Sequence, residues 1–471
     1  MRSPPRCRRL KGISSPTRHV PPADPTTASA PTPPASGTPE RPVRVLAPGF
    51  YTWKNKGDVA LIQAFEQWLA EAYGAADVTF TSFQPEDDEE RLGLPMIDMA
   101  TRPRRPLHRW TARIADRLGP ARLLLVGGRL AGFAGVAVLL RAWARLHRRS
   151  PRLAARLAPH HLQVLATLID RADVVVAVPG GYLNAPKVTD DWWLFHLATL
   201  LLARELGKPP VLGPCSLGPY AGVHASIARQ VLSRCDAILL REARSAEILR
   251  QIGVPARLVH ETPDMAFRFD AEPLSADGDE ALARVRALAA DGPLIGVSVR
   301  PHHYPGHRDG PAMQRRYLEA LAAAVGGVAE RDGARIVVVP QTGSDLLIGR
   351  ELGRLLGPGA LVLEDDLSPS DLQAIYAELR LLVGTRMHAN ILALGVGVPV
   401  VGIAYEPKTA GILEQLGLGD WAIPIDAVDA GRLERLVRER WDDAAAGAVR
   451  AASAAADARA RLRDAAELMR R

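Results

Sequence analysis

"LVGTRMHANILALGVGVPVVGIAYEPK", residues 382–408, is the stretch whose reading decides the fold. It completes the apolar run "LRLLVG" (379–384), continues into the helix-forming "RMHANILALG", and ends on a second apolar run, "PVVGIAY" (399–405). Strand, helix, strand is the unit of a parallel sheet covered by helices. The helix has about ten residues, or about 15 Å, with Thr385 expected as its N-cap. That places Arg386 and His388 in the first turn, where unpaired backbone NH groups and the helix dipole already favour an anion. Cationic side chains there are wrong for helix stability and right for holding phosphate or carboxylate. The alternatives are an ion pair with a neighbouring acid for Arg386 and a satisfied interior histidine for His388. Ala389, Ala393, Gly395 and Gly397 let the helix lie close to its sheet.

Working outward, the same alternation recurs. Apolar runs at 293–299, 334–340 and 360–365 join those at 379–384 and 399–405 in one parallel sheet, a Rossmann-like domain expected over 285–425. Runs at 43–49, 172–178, 209–214, 235–240 and 256–260 make a second doubly wound domain, expected over 42–275. Residues 426–471 read as one or two Ala-rich helices that close the C-terminal domain or return to the first. Residues 1–41, rich in Pro, Ser, Thr and Ala, read as a disordered basic leader or a start codon placed too early, without the apolar run of a signal peptide. A length of 471 residues suits two such domains.

Composition narrows the function classes. With 47% hydrophobic and 24% charged residues, global disorder is excluded. The net charge of +7 comes from an Arg- and Ala-rich chain and implies only a modest attraction for anions; nucleic acid is not expected as a partner. Cys7, Cys215 and Cys235 form neither a metal-ligand spacing nor an even disulfide set, which points to a reducing cytoplasm. His302, His303 and His307 have a spacing compatible with metal, but no acid flanks them closely, and no metal is expected.

Residues 104–160 combine an apolar stripe with many arginines. Their longest uncharged run, Leu130 to Leu140, is eleven residues, short of the roughly 20 needed to cross a bilayer. Two readings remain: a helical insertion packed on the first domain, or an Arg-flanked helix lying in the headgroup region of an anionic membrane.

Ligands of doubly wound sheets bind beyond the carboxyl ends of the strands. Asn55, Gly57 and Asp58 follow the first strand, and "PGGYLN", "CSLGPY", "REARS" and "ETPDMAF" follow later ones; "RPHHY", "PQTGSD", "EDDLSPSDL", "TRMHAN" and "EPK" do so in the second half. Polar groups thus gather at one edge of both sheets, facing a cleft. Asn55 and Asp58 read equally as helix caps or ligand contacts. Gly180 and Gly181 suit a turn where a ligand approaches the backbone. Arg241 and Arg300, each directly after a strand, point into the cleft or lie exposed, and Lys408 adds a cation or sits solvated on the surface.

Taken in order, "NKGDVALIQAF", "VPGGYL", "SLGP", "REARS", "TPDMAF", "SVRP", "VVPQ" and the block from Gly384 to Lys408 resemble the polysaccharide pyruvyl transferase family over roughly 43–420. The resemblance implies twin Rossmann-like domains similar to GT-B glycosyltransferases. It also implies transfer of the carboxyvinyl unit of phosphoenolpyruvate to two hydroxyls of one sugar, giving a pyruvate ketal and phosphate. The acceptor is then a saccharide or lipid-linked oligosaccharide, no cofactor beyond the co-substrate is needed, and the family's R-x-H pair falls on Arg386 and His388. The chain departs from the family in its short "PGGYL" and in the 104–160 insertion.

The chemistry fits the residues independently. Phosphate and carboxylate call for cations, which Arg241, Arg300, Arg386 and Lys408 supply. His388 is expected to protonate C3, and either Asp264 or Asp58 to take the hydroxyl proton. Two other functions are open: a nucleotide-sugar glycosyltransferase, for which Glu406 and Glu414 stand eight apart, and a non-catalytic sugar-binding protein of the same fold.

Overall fold

Short runs of Val, Ile, Leu and Ala, buried on both faces, form strands that pair only in parallel. The structure is a computed structural model describing residues 41–49, 52–98, 122–188, 190, 193–304 and 308–470. Residues 1–40 of the expected leader, 104–121 of the insertion, and His307 lie outside the described residues.

The first sheet contains β1 (Val43–Ala47), β2 (Ala76–Ser82), β3 (Met96–Asp98), β4 (Val174–Ala177), β5 (Gly180–Ala185), β6 (Val211–Tyr220), β7 (Ala237–Leu240) and β8 (Val259–Glu261). Its order is β3-β2-β1-β4-β6-β7-β8, with β5 pairing β6. The second contains β9 (Leu294–Ser298), β10 (Arg335–Val338), β11 (Leu361–Val362), β12 (Leu379–Gly384), β13 (Val400–Ala404) and β14 (Ala422–Pro424), in the order β11-β10-β9-β12-β13-β14. Each order reverses once, between β1 and β4 and between β9 and β12. These are the topological switch points where a doubly wound sheet opens a crevice.

Helices α1 (Lys56–Tyr73), α2 (Pro85–Leu92), α3 (Arg122–Arg149), α4 (Pro151–Leu157), α5 (His160–Arg171), α6 (Leu194–Glu205), α7 (Val223–Leu232) and α8 (Ala243–Ile252) belong to the first half. Helices α9 (Ala276–Ala289), α10 (Gly310–Asp332), α11 (Gly343–Leu356), α12 (Pro369–Ala377), α13 (Met387–Gly395), α14 (Pro407–Gln415), α15 (Ala430–Asp442) and α16 (Ala444–Leu468) follow.

A single apolar cluster joins the two halves. On α1, Leu61, Phe65, Trp68, Leu69 and Ala72 are buried at helical spacing, and they share a core with Phe267 and Phe269 and with Leu372, Leu392 and Leu462 of the second half. The C-terminal α16 returns to the first half: Trp68 Nε1 donates to the Leu462 carbonyl at 2.7 Å and Tyr73 Oη to that of Met469 at 3.1 Å. Arg459 clasps the carbonyls of Phe267 and Gly395 at 3.0 and 2.9 Å. The cleft therefore sits above a continuous core that fixes one switch point against the other.

Because Trp68 is fully buried in this joint, Trp68→Ala should cost about 3–5 kcal/mol of stability by urea denaturation. A loss below about 1 kcal/mol, the range of exposed sites, would mean that α16 does not hold the halves together.

Candidate active site

The strand β12 ends at Gly384, and Asn390 Nδ2 bonds the Gly384 carbonyl at 3.0 Å, tying the second turn of α13 back to the strand end. The N-cap of α13 is Arg386 and not Thr385: Arg386 is extended (φ −76°, ψ 123°) and its side chain makes no capping bond. Thr385 is fully buried and meets the Tyr317 hydroxyl at 2.6 Å, so its side chain is spent on the core. Arg386 and His388 nonetheless stand at the start of the helix, at the mouth of a cavity of about 270 Å³.

Asn55, Asp58, Gly180, Gly181, Arg241, Arg386, His388 and Lys408 all line that cavity. It opens beyond β1 and β4 of the first sheet and beyond β12 and β13 of the second. Asn55 is the cap of α1 and also lines the cavity. Its Oδ1 accepts from Gly57 N at 3.2 Å as the cap of α1, and its Nδ2 donates to Asp58 Oδ2 at 2.9 Å. Asp58 is no cap. Arg300 and Asp264 are outside the lining: Arg300 stacks on the Tyr405 ring, 3.7 Å from its centroid, and Tyr405 is the residue that reaches the cavity.

From the lining residue Arg241 a charge pair removed from water runs back to Asp264. Arg241 and Asp264, 2% and 0% exposed, join at 2.7 Å, and Arg241 Nε also donates to Ser216 Oγ at 2.8 Å. Asp264 Oδ1 accepts from Ala266 N at 2.9 Å, and Oδ2 stands 3.9 Å from His388 Nε2. With both oxygens engaged, Asp264 orients its neighbours; Asp58 Oδ1 takes no hydrogen bond from the described residues.

Arg386 makes the ion pair that stood as the alternative to anion holding. Its Nε donates to Asp345 Oδ2 at 2.8 Å, its Nη2 bonds Asp345 Oδ1, and Nη2 reaches Thr342 Oγ1 at 3.1 Å. Nη1 has no partner among the described residues. Lys408 pairs with Glu406 at 2.6 Å, with the two side chains 25% and 47% exposed. Each lining cation thus carries a carboxylate, but only the Lys408 pair is exposed enough to exchange cheaply.

Two titratable groups face this array. Enclosure raises the Asp58 carboxyl to about 6, against the Asn55 hydrogen bond and the charges of Arg241, Lys408 and Arg386. Enclosure also lowers His388 to about 4; Asp264 opposes the shift and the three cations add to it. His388 Nε2 has no hydrogen-bond partner among the described residues. Across the cleft, Gly57 lies against the imidazole: a Cβ there would fall 2.1 Å from Nδ1. A Cβ on Gly181 would sit 3.1 Å from Arg241 Nη2. Both glycines are close-approach positions.

Asp345, Gln341, Tyr405 and Tyr182 were not singled out from the sequence. Asp345 sits three residues after Thr342, a spacing that reads as a capping box, and its backbone NH does bond Thr342 Oγ1, at 3.4 Å. Nothing local shows that its carboxylate holds Arg386, 41 residues away. Among the described residues no group of His, Cys, Asp or Glu could hold a metal ion, and no helix is long and apolar enough to cross a membrane.

Comparison with known proteins places these features. The sequence profile of the family described as polysaccharide pyruvyl transferase matches residues 55–407. The amylovoran biosynthesis protein AmsJ of Erwinia amylovora is 27% identical over 287 residues, 58% of this chain and 67% of AmsJ. Among solved structures, Anabaena Alr3699/HepE in complex with UDP-glucose superposes with a TM-score of 0.52 at 14% identity, covering 90% of this chain and 97% of HepE. UDP-GlcNAc 2-epimerase from Neisseria meningitidis gives 0.53 at 10% identity, covering 91% and 100%. The chain therefore has the two-domain, GT-B-like fold of these proteins.

The opposed shifts of Asp58 and His388 make a test. Asp58, raised from 3.8 to about 6, binds more protons folded than unfolded between those values and so removes stability as pH rises through them. His388, lowered from 6.5 to about 4, binds fewer and restores stability over nearly the same interval. Relative to wild type, Asp58→Asn should make stability climb more steeply from pH 4 to 6.5, and His388→Gln less steeply, by denaturant titration across that range. Parallel profiles for all three proteins would contradict the assignment.

Proposed function

Because the chain belongs to the polysaccharide pyruvyl transferase family, we propose that it moves the carboxyvinyl unit of phosphoenolpyruvate onto two hydroxyls of one sugar residue, forming a pyruvate ketal during polysaccharide biosynthesis. The observation that carries this reading is the meeting, in one small cavity, of Arg241, Arg386 and Lys408 with two proton-handling groups, His388 and Asp58. A volume of about 270 Å³ is at the lower limit of the roughly 300–1,000 Å³ of small-molecule sites. It suits a compact dianionic donor better than a nucleotide sugar. Glu406 and Glu414, the carboxylates considered for a nucleotide-sugar enzyme, are both exposed and outside the lining.

In the proposed reaction Lys408 leaves Glu406 for the donor, and Arg386, held by Asp345, offers Nη1. Enclosure keeps His388 neutral near pH 7. An arriving phosphate and carboxylate favour its protonated form, so the proton enters with the donor and is delivered to C3, making the methyl group. C2 gains oxocarbenium character, one sugar hydroxyl adds to it and gives its proton to Asp58, and phosphate leaves. The second hydroxyl then closes the ketal, and the phosphate carries away the remaining proton. Asp264 and Arg241 hold His388 and the rim in place. The acceptor is a saccharide or lipid-linked oligosaccharide on the cytoplasmic side, where the donor is made; no further cofactor takes part.

Phosphoenolpyruvate should raise the melting temperature by mass action on the native state; a shift with UDP-glucose and none with phosphoenolpyruvate would favour the glycosyltransferase. In phosphate-release assays with acceptor glycans, His388→Gln and Asp58→Asn should each lower turnover by about 10² to 10⁴ with donor KM changed far less. Lys408→Met should chiefly raise donor KM. Near-normal turnover in His388→Gln with weakened donor binding would make His388 an anion ligand and place the acid elsewhere.

A further inference from the structure

The helices α3, α4 and α5 form a small layer on the outside of the first half. Ala144 of α3 seats it, with Trp143 packed alongside, in one cluster with Leu165, Ala166 and Ile169 of α5 and Leu202 of α6, and Arg141 Nε bonds Glu205 Oε1 at 3.3 Å. The short α4 doubles back, with Trp143 Nε1 donating to the Ala154 carbonyl at 3.0 Å. Leu139 and Leu157 therefore lie at a similar level on adjacent antiparallel segments, four residues before Trp143 and three after Ala154.

Away from that seat the layer shows apolar side chains to water. Val138, Leu139 and Leu157 are 61%, 68% and 66% exposed, and Leu153 is 46% exposed. Around them stand exposed Arg145, Arg148, Arg149, Arg152 and Arg156. None of the five has an acidic partner among the described residues, whereas several surface arginines elsewhere are paired, as in Arg250–Glu247, Arg284–Asp365 and Arg350–Glu364. Residues 117–169 contain nine arginines and no Asp or Glu. A face both apolar and uncompensated in charge is not what folding alone requires.

We propose that this face is a docking surface for an anionic lipid bilayer, on which α3 and α4 lie flat. Guanidinium groups complement lipid phosphates, and the branched aliphatic side chains between them gain by leaving water for the headgroup–acyl boundary. Nucleic acid would satisfy the arginines but leave Leu139, Leu153 and Leu157 in water, with no exposed Phe, Tyr or Trp ring among the described side chains of this layer to stack on a base. The proposal is independent of the chemistry assigned to the cleft.

Flotation of the full chain with vesicles tests it. At low salt the protein should float with equimolar phosphatidylglycerol–phosphatidylcholine vesicles and stay behind with phosphatidylcholine alone. In 1 M salt, where the Debye length is about 3 Å, the bound fraction should fall about tenfold or more. Leu139→Glu with Leu157→Glu should abolish flotation while leaving the melting temperature unchanged, since both side chains are exposed. Joint Arg148→Gln, Arg152→Gln and Arg156→Gln should weaken flotation with the leucines intact. No flotation of the wild type at low salt would overturn the proposal, as would flotation indifferent to the leucine pair. Binding of duplex DNA in preference to the anionic vesicles would overturn it as well.

Discussion

The buried ion pair between Arg241 and Asp264 is the constraint on which the cleft depends. Both charges have left water, so the pair is tolerable only while its geometry is kept, and removing one partner costs about 3–5 kcal/mol. Ser216 and Ala266 N supply the remaining hydrogen bonds. From this fixed point the rest follows by contact. Asp264 stands 3.9 Å from His388, a side chain at Gly181 would press on Arg241, and His388 leaves no space for one at Gly57. The two sheets thus meet through groups that cannot move independently, over a core that Trp68 and α16 hold closed.

The same enclosure gives the site its chemical asymmetry. A carboxyl and an imidazole share one low-dielectric space, and each is pushed toward its neutral form, Asp58 to about 6 and His388 to about 4. Groups driven in opposite directions from their ordinary values are a means of assigning acid and base roles. Near neutral pH these shifts leave Asp58 ionised and His388 neutral.

Much of this was legible in the sequence because parallel sheets buried on both faces write themselves as apolar runs. The strands β1, β4, β7, β9, β10, β12 and β13 stand out in that way. By contrast β2 ("ADVTFTS"), the three-residue β3 and β14, and β5 with its paired glycines do not. Their pairing is set by neighbours and not by their own pattern. Eight candidate residues meet in one cavity because each follows a strand end. What the sequence hid was partnership: Asp345 on Arg386, Glu406 on Lys408 and Tyr405 under Arg300. Local spacing says which groups reach the cleft, but the carboxylate that closes a guanidinium fork is chosen by tertiary packing.

The central claim is that a proton delivered in this cleft ends on C3 of the donor. The most direct measurement is the reaction in D₂O with phosphoenolpyruvate and an acceptor glycan, followed by NMR and mass spectrometry of the product. The account predicts one phosphate released per ketal and a ketal methyl group carrying a single deuterium. A glycan of unchanged mass, or one that gains a hexose from a nucleotide sugar, would contradict it.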